Sequence, residues 1–149
     1  MVTHASSREE FSLQLYLISR LLRREIDVLL EETGLSEAAV LPIRYLVRAG
    51  KALRQNELAE AMMIEGPTLV RVLDQLDARG LIARVEDPQD RRAKYIHVTP
   101  AGTTFHDEFQ ARLDTRREAL FGHASDEDLA AALRIFDGLE KELRRHRAS

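Results

Sequence analysis

Apolar residues recur at steps of three and four along most of the chain, and glycine or proline interrupts the pattern at a few points. Phe11, Leu15, Ile18, Leu22, Ile26 and Leu29 form one such stripe, widened by Leu17, Leu21 and Val28. It predicts a helix from about Glu10 to Glu32 that Gly34 stops, roughly 35 Å long at ~1.5 Å per residue. Its apolar surface is wider than one neighbour needs, which predicts contact with a second chain. Ser36 is an N-cap for a second helix reaching about Arg48, with Gly50 beyond it. Pro42 either kinks that helix or marks its true start, and the pattern leaves both open. A short helix over Gln55–Met62 turns Leu58, Ala59 and Met62 inward. Gly66-Pro67 then opens another, from Pro67 to Ala78, with Leu69, Leu73 and Leu76 inward and Gly80 at its stop.

Two short runs follow that read as strands, Leu81–Val85 and Tyr95–Thr99. Between them lies Asp87-Pro88-Gln89-Asp90-Arg91-Arg92-Ala93-Lys94. Thr99-Pro100 starts a fifth helix reaching about Phe121. Ser125-Asp126-Glu127-Asp128 caps a sixth, whose seam is Leu129, Leu133, Phe136, Leu139 and Leu143. Arg144, Arg145 and Arg147 lie at its C-terminal end, where cations are favoured.

Length and composition narrow the reading. The 149 residues suit one domain, and 44% hydrophobic residues suffice for a core that, with 5% aromatics, is mostly aliphatic. The absence of cysteine excludes disulfides, thiolate metal sites and thiol redox sensing. The polar start of the chain and the polar breaks at Gln14, Ser19 and Arg20 fit neither a signal peptide nor a membrane span, so a cytoplasmic location is expected. The net charge of −3 is unevenly spread. Arg44 to Val98 holds ten Lys/Arg against eight Asp/Glu, while the rest holds twelve against seventeen. The middle is therefore more basic than its flanks, a modest asymmetry in favour of DNA.

Three short helices and a hairpin outline a mainly α fold with a small β-hairpin: a winged helix-turn-helix between long N- and C-terminal dimerisation helices. One helix of such a fold enters the major groove while the helix before it braces the backbone. A basic hairpin tip reaches the minor groove, where a guanidinium gains from the negative potential. Taken alone, the tip reads more readily as a solvated turn built from ordinary turn residues. The helices before it favour the DNA reading.

The run Ile64 to Ile82 resembles the MarR family of transcription regulators, particularly its SlyA-like branch. So does the "D-x-x-D-R-R-A" of Asp87 to Ala93, followed by Val98-Thr99-Pro100-Ala101-Gly102. Gln55-Asn56-Glu57-Leu58-Ala59 is similar to the family's bracing helix, and the resemblance spans Leu35 to Gly102. It implies a single MarR-like domain over residues 1–149, with a winged-helix region at about 35–99 and dimerisation helices at about 8–33 and 100–147. It further implies a homodimer on a short inverted-repeat operator of double-stranded DNA, with no cofactor and no membrane partner. By position, Pro67, Thr68 and Arg71 would meet the major groove. Asp90, Arg91, Arg92 and Lys94 would form the wing, with Asp90 pairing with a nearby arginine to shape its tip. Arg54 and Gln55 would position phosphates. The sequence departs from the family in having Met63 where glycine is usual, Pro42 in the second helix, and Ala39-Val40 where many relatives have a polar residue and tryptophan.

The resemblance also implies that a small aromatic acid binds between the dimer helices and the DNA-binding region, with Tyr16, Arg20 and Arg44 as the candidate ligand residues. The competing reading makes Arg20 a surface or salt-bridge residue. Enzymatic chemistry has little support: the five histidines are scattered and no serine has an obvious partner base. The remaining rival is a winged-helix protein-interaction module that does not bind DNA, since fold does not fix function. Such a module has no need of a basic face at Arg71, Arg91 and Arg92.

Overall fold

The computed structural model describes residues 4–147. In chain order the elements are α1 (His4–Leu30), α2 (Glu37–Ala49), β1 (Leu53–Arg54), α3 (Gln55–Met62), α4 (Gly66–Ala78), β2 (Ile82–Glu86), β3 (Lys94–Val98), α5 (Pro100–Phe121) and α6 (Asp126–Arg147). A 3₁₀ turn, Glu31–Thr33, follows α1 and ends at Gly34, whose φ of 67° is left-handed. The chain forms two compact units that divide within α5, after Leu113.

In the first unit, helices and sheet close over one aliphatic core. Leu30 of α1, Val40, Ile43 and Leu46 of α2, Leu58 of α3 and Leu69, Leu73 and Leu76 of α4 are all buried in it, with Ile82 and Ile96 from the sheet. Phe109 and Leu113 add the inner face of α5, and Phe105 stacks on Phe109 with ring centroids 6.5 Å apart. Only the C-terminal part of α1 joins this core. From Ser6 to Leu21 every residue of α1 is exposed, including Phe11, Leu15, Leu17 and Ile18. In the second unit α6 buries no residue, and Leu133, Ile135, Phe136, Leu139 and Leu143 are exposed. Ser125 caps α6 as the sequence predicts, accepting the Asp128 N–H at 3.1 Å.

Pro42 does not break α2. The helix starts at Glu37, with the Ser36 hydroxyl accepting the Ala39 N–H at 3.3 Å and Asp27 accepting the Glu37 N–H at 2.7 Å. Proline then sits in the second turn, leaving the Ala38 carbonyl without its usual donor. Its ring is buried in the core, so apolar burial offsets the missing bond.

The hairpin is one strand larger than expected. Strand β1 pairs with β3, giving an antiparallel sheet in the order β1-β3-β2. Leu53 faces Ile96 and Arg54 faces Tyr95, while β2 and β3 run from Ile82↔Val98 to Glu86↔Lys94. The paired residues are shifted by one from the predicted strands. Leu81 is instead held at the hairpin's root, donating its N–H to the Leu76 carbonyl and accepting the Thr99 N–H at 3.2 Å.

Candidate nucleic-acid interface

The turn between α3 and α4 fixes how the two helices cross. It keeps the left-handed geometry that glycine would favour, with Met63 at φ 55°, ψ 40°. Methionine bears that strain, ~1–2 kcal/mol for a residue with a Cβ. The Met63 N–H closes the end of α3 on the Glu60 carbonyl at 3.0 Å. Pro67 then occupies the first turn of α4, where a missing N–H costs nothing. With Leu69, Leu73 and Leu76 turned inward, Pro67, Thr68, Val70 and Arg71 are left exposed on the outer side of α4.

The wing tip follows from two aspartates three residues apart. Each opens a tight turn, closed by the Asp90 N–H on the Asp87 carbonyl at 3.2 Å and the Ala93 N–H on the Asp90 carbonyl at 2.9 Å. Each aspartate also accepts, through its own carboxylate, the N–H two residues on: Gln89 to Asp87 at 2.9 Å and Arg92 to Asp90 at 3.0 Å. Proline at the second position of the first turn presets its φ. Arg91 and Arg92 are the two central residues of the second turn, and both are exposed. Asp90 therefore shapes the tip as expected, but through the Arg92 backbone; its carboxylate pairs with no arginine side chain among the described residues. The aspartate that pairs with an arginine is Asp87, with Arg54.

A cleft of about 510 Å³ opens between the start of α3, α4 and the wing. It is lined by Arg54, Gln55, Asn56, Val70, Arg84, Asp90, Arg92, Ala93 and Lys94. Arg54, Gln55, Asp90, Arg92 and Lys94 are thus brought together, while Pro67, Thr68, Arg71 and Arg91 lie outside the lining. Arg84, which the sequence reading missed, reaches from β2 to α4 and meets Asp74 at 2.5 Å and Asp77 at 3.8 Å. It neutralises the two acids that α4 carries on that side. Their spacing of three places them on one helical face, the only hint the sequence offered. Arg71, Arg91, Arg92 and Lys94 have no acidic partner among the described residues. The Tyr95 hydroxyl, and then the Asp87 carboxylate, raise the Arg54 guanidinium above its already high range, so its charge is constant in any working buffer.

The three ligand candidates do not form one site within the chain. Tyr16 and Arg20 line a surface depression on α1 together with Leu13, Ser19 and Arg23. Arg44 lines a separate cleft of about 420 Å³ with Leu41, Tyr45, Val47, Arg48, His106 and Gln110. Arg20 has no ion pair among the described residues. Among the described residues no three His, Cys, Asp or Glu side chains gather as a metal site, and no helix is long and apolar enough to cross a membrane.

Residues 33–93, which hold the α3–α4 pair, β2 and the wing tip, match the sequence model of the MarR family. The solved structure of transcriptional regulator PA3341 is 32% identical over 91% of this chain and 98% of that one, with a TM-score of 0.81. The chain belongs to the MarR family. This is a family of winged-helix, DNA-binding transcription regulators. The crystal structure of an S. aureus MepR–DNA complex is 25% identical over 89% of this chain and 97% of MepR, with a TM-score of 0.78. A crystal structure of MarR shares the fold at 24% identity and a TM-score of 0.76, over 91% of this chain and 98% of MarR.

Proposed function

We propose that this MarR-family protein is a homodimer that binds a short inverted-repeat operator in double-stranded DNA. The observation that carries the reading is a group of exposed cations without acidic partners among the described residues, Arg71 on α4 and Arg91, Arg92 and Lys94 on the wing, on an otherwise acidic protein. Pro67, Thr68 and Arg71 enter the major groove with the first turns of α4. Asp90 shapes the wing, and Arg91, Arg92 and Lys94 carry its charge to the minor groove and phosphates. Gln55, at the start of α3, stands beside the backbone. The exposed apolar faces of α1 and α6 support dimerisation, because surfaces of that kind on a water-soluble protein mark an interface. The wing sequence from Asp87 to Ala93 supports assignment to the SlyA-like branch of the family.

A small aromatic carboxylate is the effector class that fits. The cleft around Arg44 offers two arginines and an aromatic ring, and Arg20 with Tyr16 offers a second, shallower surface. Isothermal calorimetry with salicylate on wild type, Arg20→Ala and Arg44→Ala decides between them: the substitution that abolishes the heat marks the site, and an unchanged heat removes that residue.

The experiment for the main reading is selection of random duplex DNA by the purified protein. An inverted repeat is expected, with half-sites about one helical turn, ~34 Å, apart. Binding without sequence preference, at nonspecific affinity only, would leave the interaction-module reading in its place.

A further inference from the structure

We infer that Arg54 sets the position of the wing relative to the helix-turn-helix, acting through Asp87. The inference rests on the DNA-binding reading and gives Arg54 a positioning role in place of a phosphate contact. Asp87 is the one buried charged side chain among the described residues, 4% exposed. One carboxylate oxygen holds the Gln89 N–H and so builds the first turn of the tip. The other accepts from the Arg54 guanidinium. A buried carboxylate needs a counter-charge and donors, and Arg54 supplies both.

Sheet geometry explains why an arginine at this position reaches the wing. Strand β1 is two residues long and ends at the Arg54↔Tyr95 pair. Beyond that pair the wing is only two-stranded, and an isolated two-stranded ribbon has marginal stability in water. Arg54 lies opposite Tyr95, and Tyr95 lies opposite Val85. Side chains alternate along a strand, so Arg54, Tyr95, Val85 and Asp87 share one face. The guanidinium lies over the Tyr95 ring, 5.6 Å from its centroid, and its Nε donates to the Tyr95 hydroxyl at 3.4 Å. The Arg54 backbone N–H is held by Glu57 of α3 at 2.8 Å. One residue therefore joins the start of α3, the sheet and the root of the wing tip. Its charge is committed to Asp87, which leaves the outward charge to Arg91, Arg92 and Lys94.

The test uses the full chain as wild type, Arg54→Lys, Asp87→Asn, Tyr95→Phe, the wing double variant Arg91→Ala/Arg92→Ala, and that double variant carrying Asp87→Asn. Each is titrated against the selected operator and a scrambled duplex of equal length. Asp87→Asn removes a negative charge beside DNA, so a phosphate-contacting Arg54 predicts equal or tighter binding. The positioning role predicts binding roughly tenfold weaker, within the range of coupling measured between contacting groups. Arg54→Lys keeps a phosphate-binding charge and removes the fork that spans Asp87 and Tyr95, so it is expected to be as weak as Asp87→Asn. Tyr95→Phe, which removes only the hydroxyl, should fall between them and wild type. In the wing double variant Asp87→Asn should change affinity less than twofold, because the arginines it misplaces are already absent. Amide hydrogen exchange without DNA should quicken at residues 87–94 in Arg54→Lys and Asp87→Asn and stay unchanged in α4, a readout that remains if one variant folds poorly. Equal or tighter binding by Asp87→Asn, or unchanged exchange in the wing, overturns the inference. Failure of wild type to prefer its selected sequence overturns the DNA-binding reading instead, and the exchange result still decides the role of Arg54.

Discussion

Replacing Gly102 by alanine would place a methyl group 2.0 Å from the Leu81 carbonyl oxygen and 2.8 Å from Val98 Cγ1. The closest carbon–oxygen approaches in folded proteins are about 3.3 Å, so a gap of roughly 1.3 Å has to open. The crowded atom is backbone and cannot swing aside. Either the start of α5 lifts away or the Leu81 carbonyl turns. Both moves disturb one joint: the Thr99 N–H on Leu81, the Thr99 hydroxyl on the Gly80 carbonyl at 2.5 Å, and the Gly102 N–H on that hydroxyl at 3.0 Å. Overpacking costs ~1–3 kcal/mol and one broken hydrogen bond a further ~1 kcal/mol, giving about 3 kcal/mol in all. For a chain of this size that is a fall in Tm of roughly 6–12 °C. Calorimetry at fixed protein concentration measures it, since self-association makes Tm concentration-dependent. Gly66→Ala is the control, because its Cβ meets nothing within 4 Å. A Gly102→Ala protein melting within about 2 °C of wild type would refute the reasoning, and with it the physical account of the Thr99–Gly102 spacing.

Met63→Gly should stabilise the protein by ~1 kcal/mol in a urea melt, because it relieves a left-handed residue whose side chain is half exposed. Light scattering at low micromolar concentration should give about twice the 17.0 kDa chain mass, and Leu17→Glu on the exposed face of α1 should shift it toward the monomer; a well-folded wild-type monomer would count against the dimer. With no cysteine in the chain, peroxide should leave DNA affinity unchanged through any thiol route, as anisotropy titrations before and after treatment would show.

What could be read from the sequence was what repeats locally. The helices announced themselves through stripes of three and four and through caps such as Ser36, Ser125 and Gly34, and those caps stand where predicted. The two aspartates and the proline of the wing carried their turn geometry in their own order. Strand β1 escaped because two residues have no period. Pro42 was undecidable because the compensation is tertiary: its ring is buried by a core that no local rule describes. The pairs Arg54–Asp87 and Arg84–Asp74 join residues 33 and 10 positions apart, so the sequence suggested an arginine partner for the wrong aspartate. Tyr16, Arg20 and Arg44 were grouped on the family resemblance, and in the single chain Tyr16 and Arg20 line one depression and Arg44 another.

The most direct test of the central claim is a set of DNA titrations at several salt concentrations, on the selected operator and on scrambled duplex. It compares wild type with Arg71→Ala and with Arg91→Ala/Arg92→Ala. Arg71→Ala should cost ~1–3 kcal/mol on the operator, relax one base position of each half-site and leave scrambled DNA little affected. The wing variant should weaken binding to both duplexes and flatten the salt dependence, by ~0.9 in log–log slope for each phosphate no longer neutralised. If both variants match wild type at every salt concentration, α4 and the wing are not the surface that meets DNA, and the account fails.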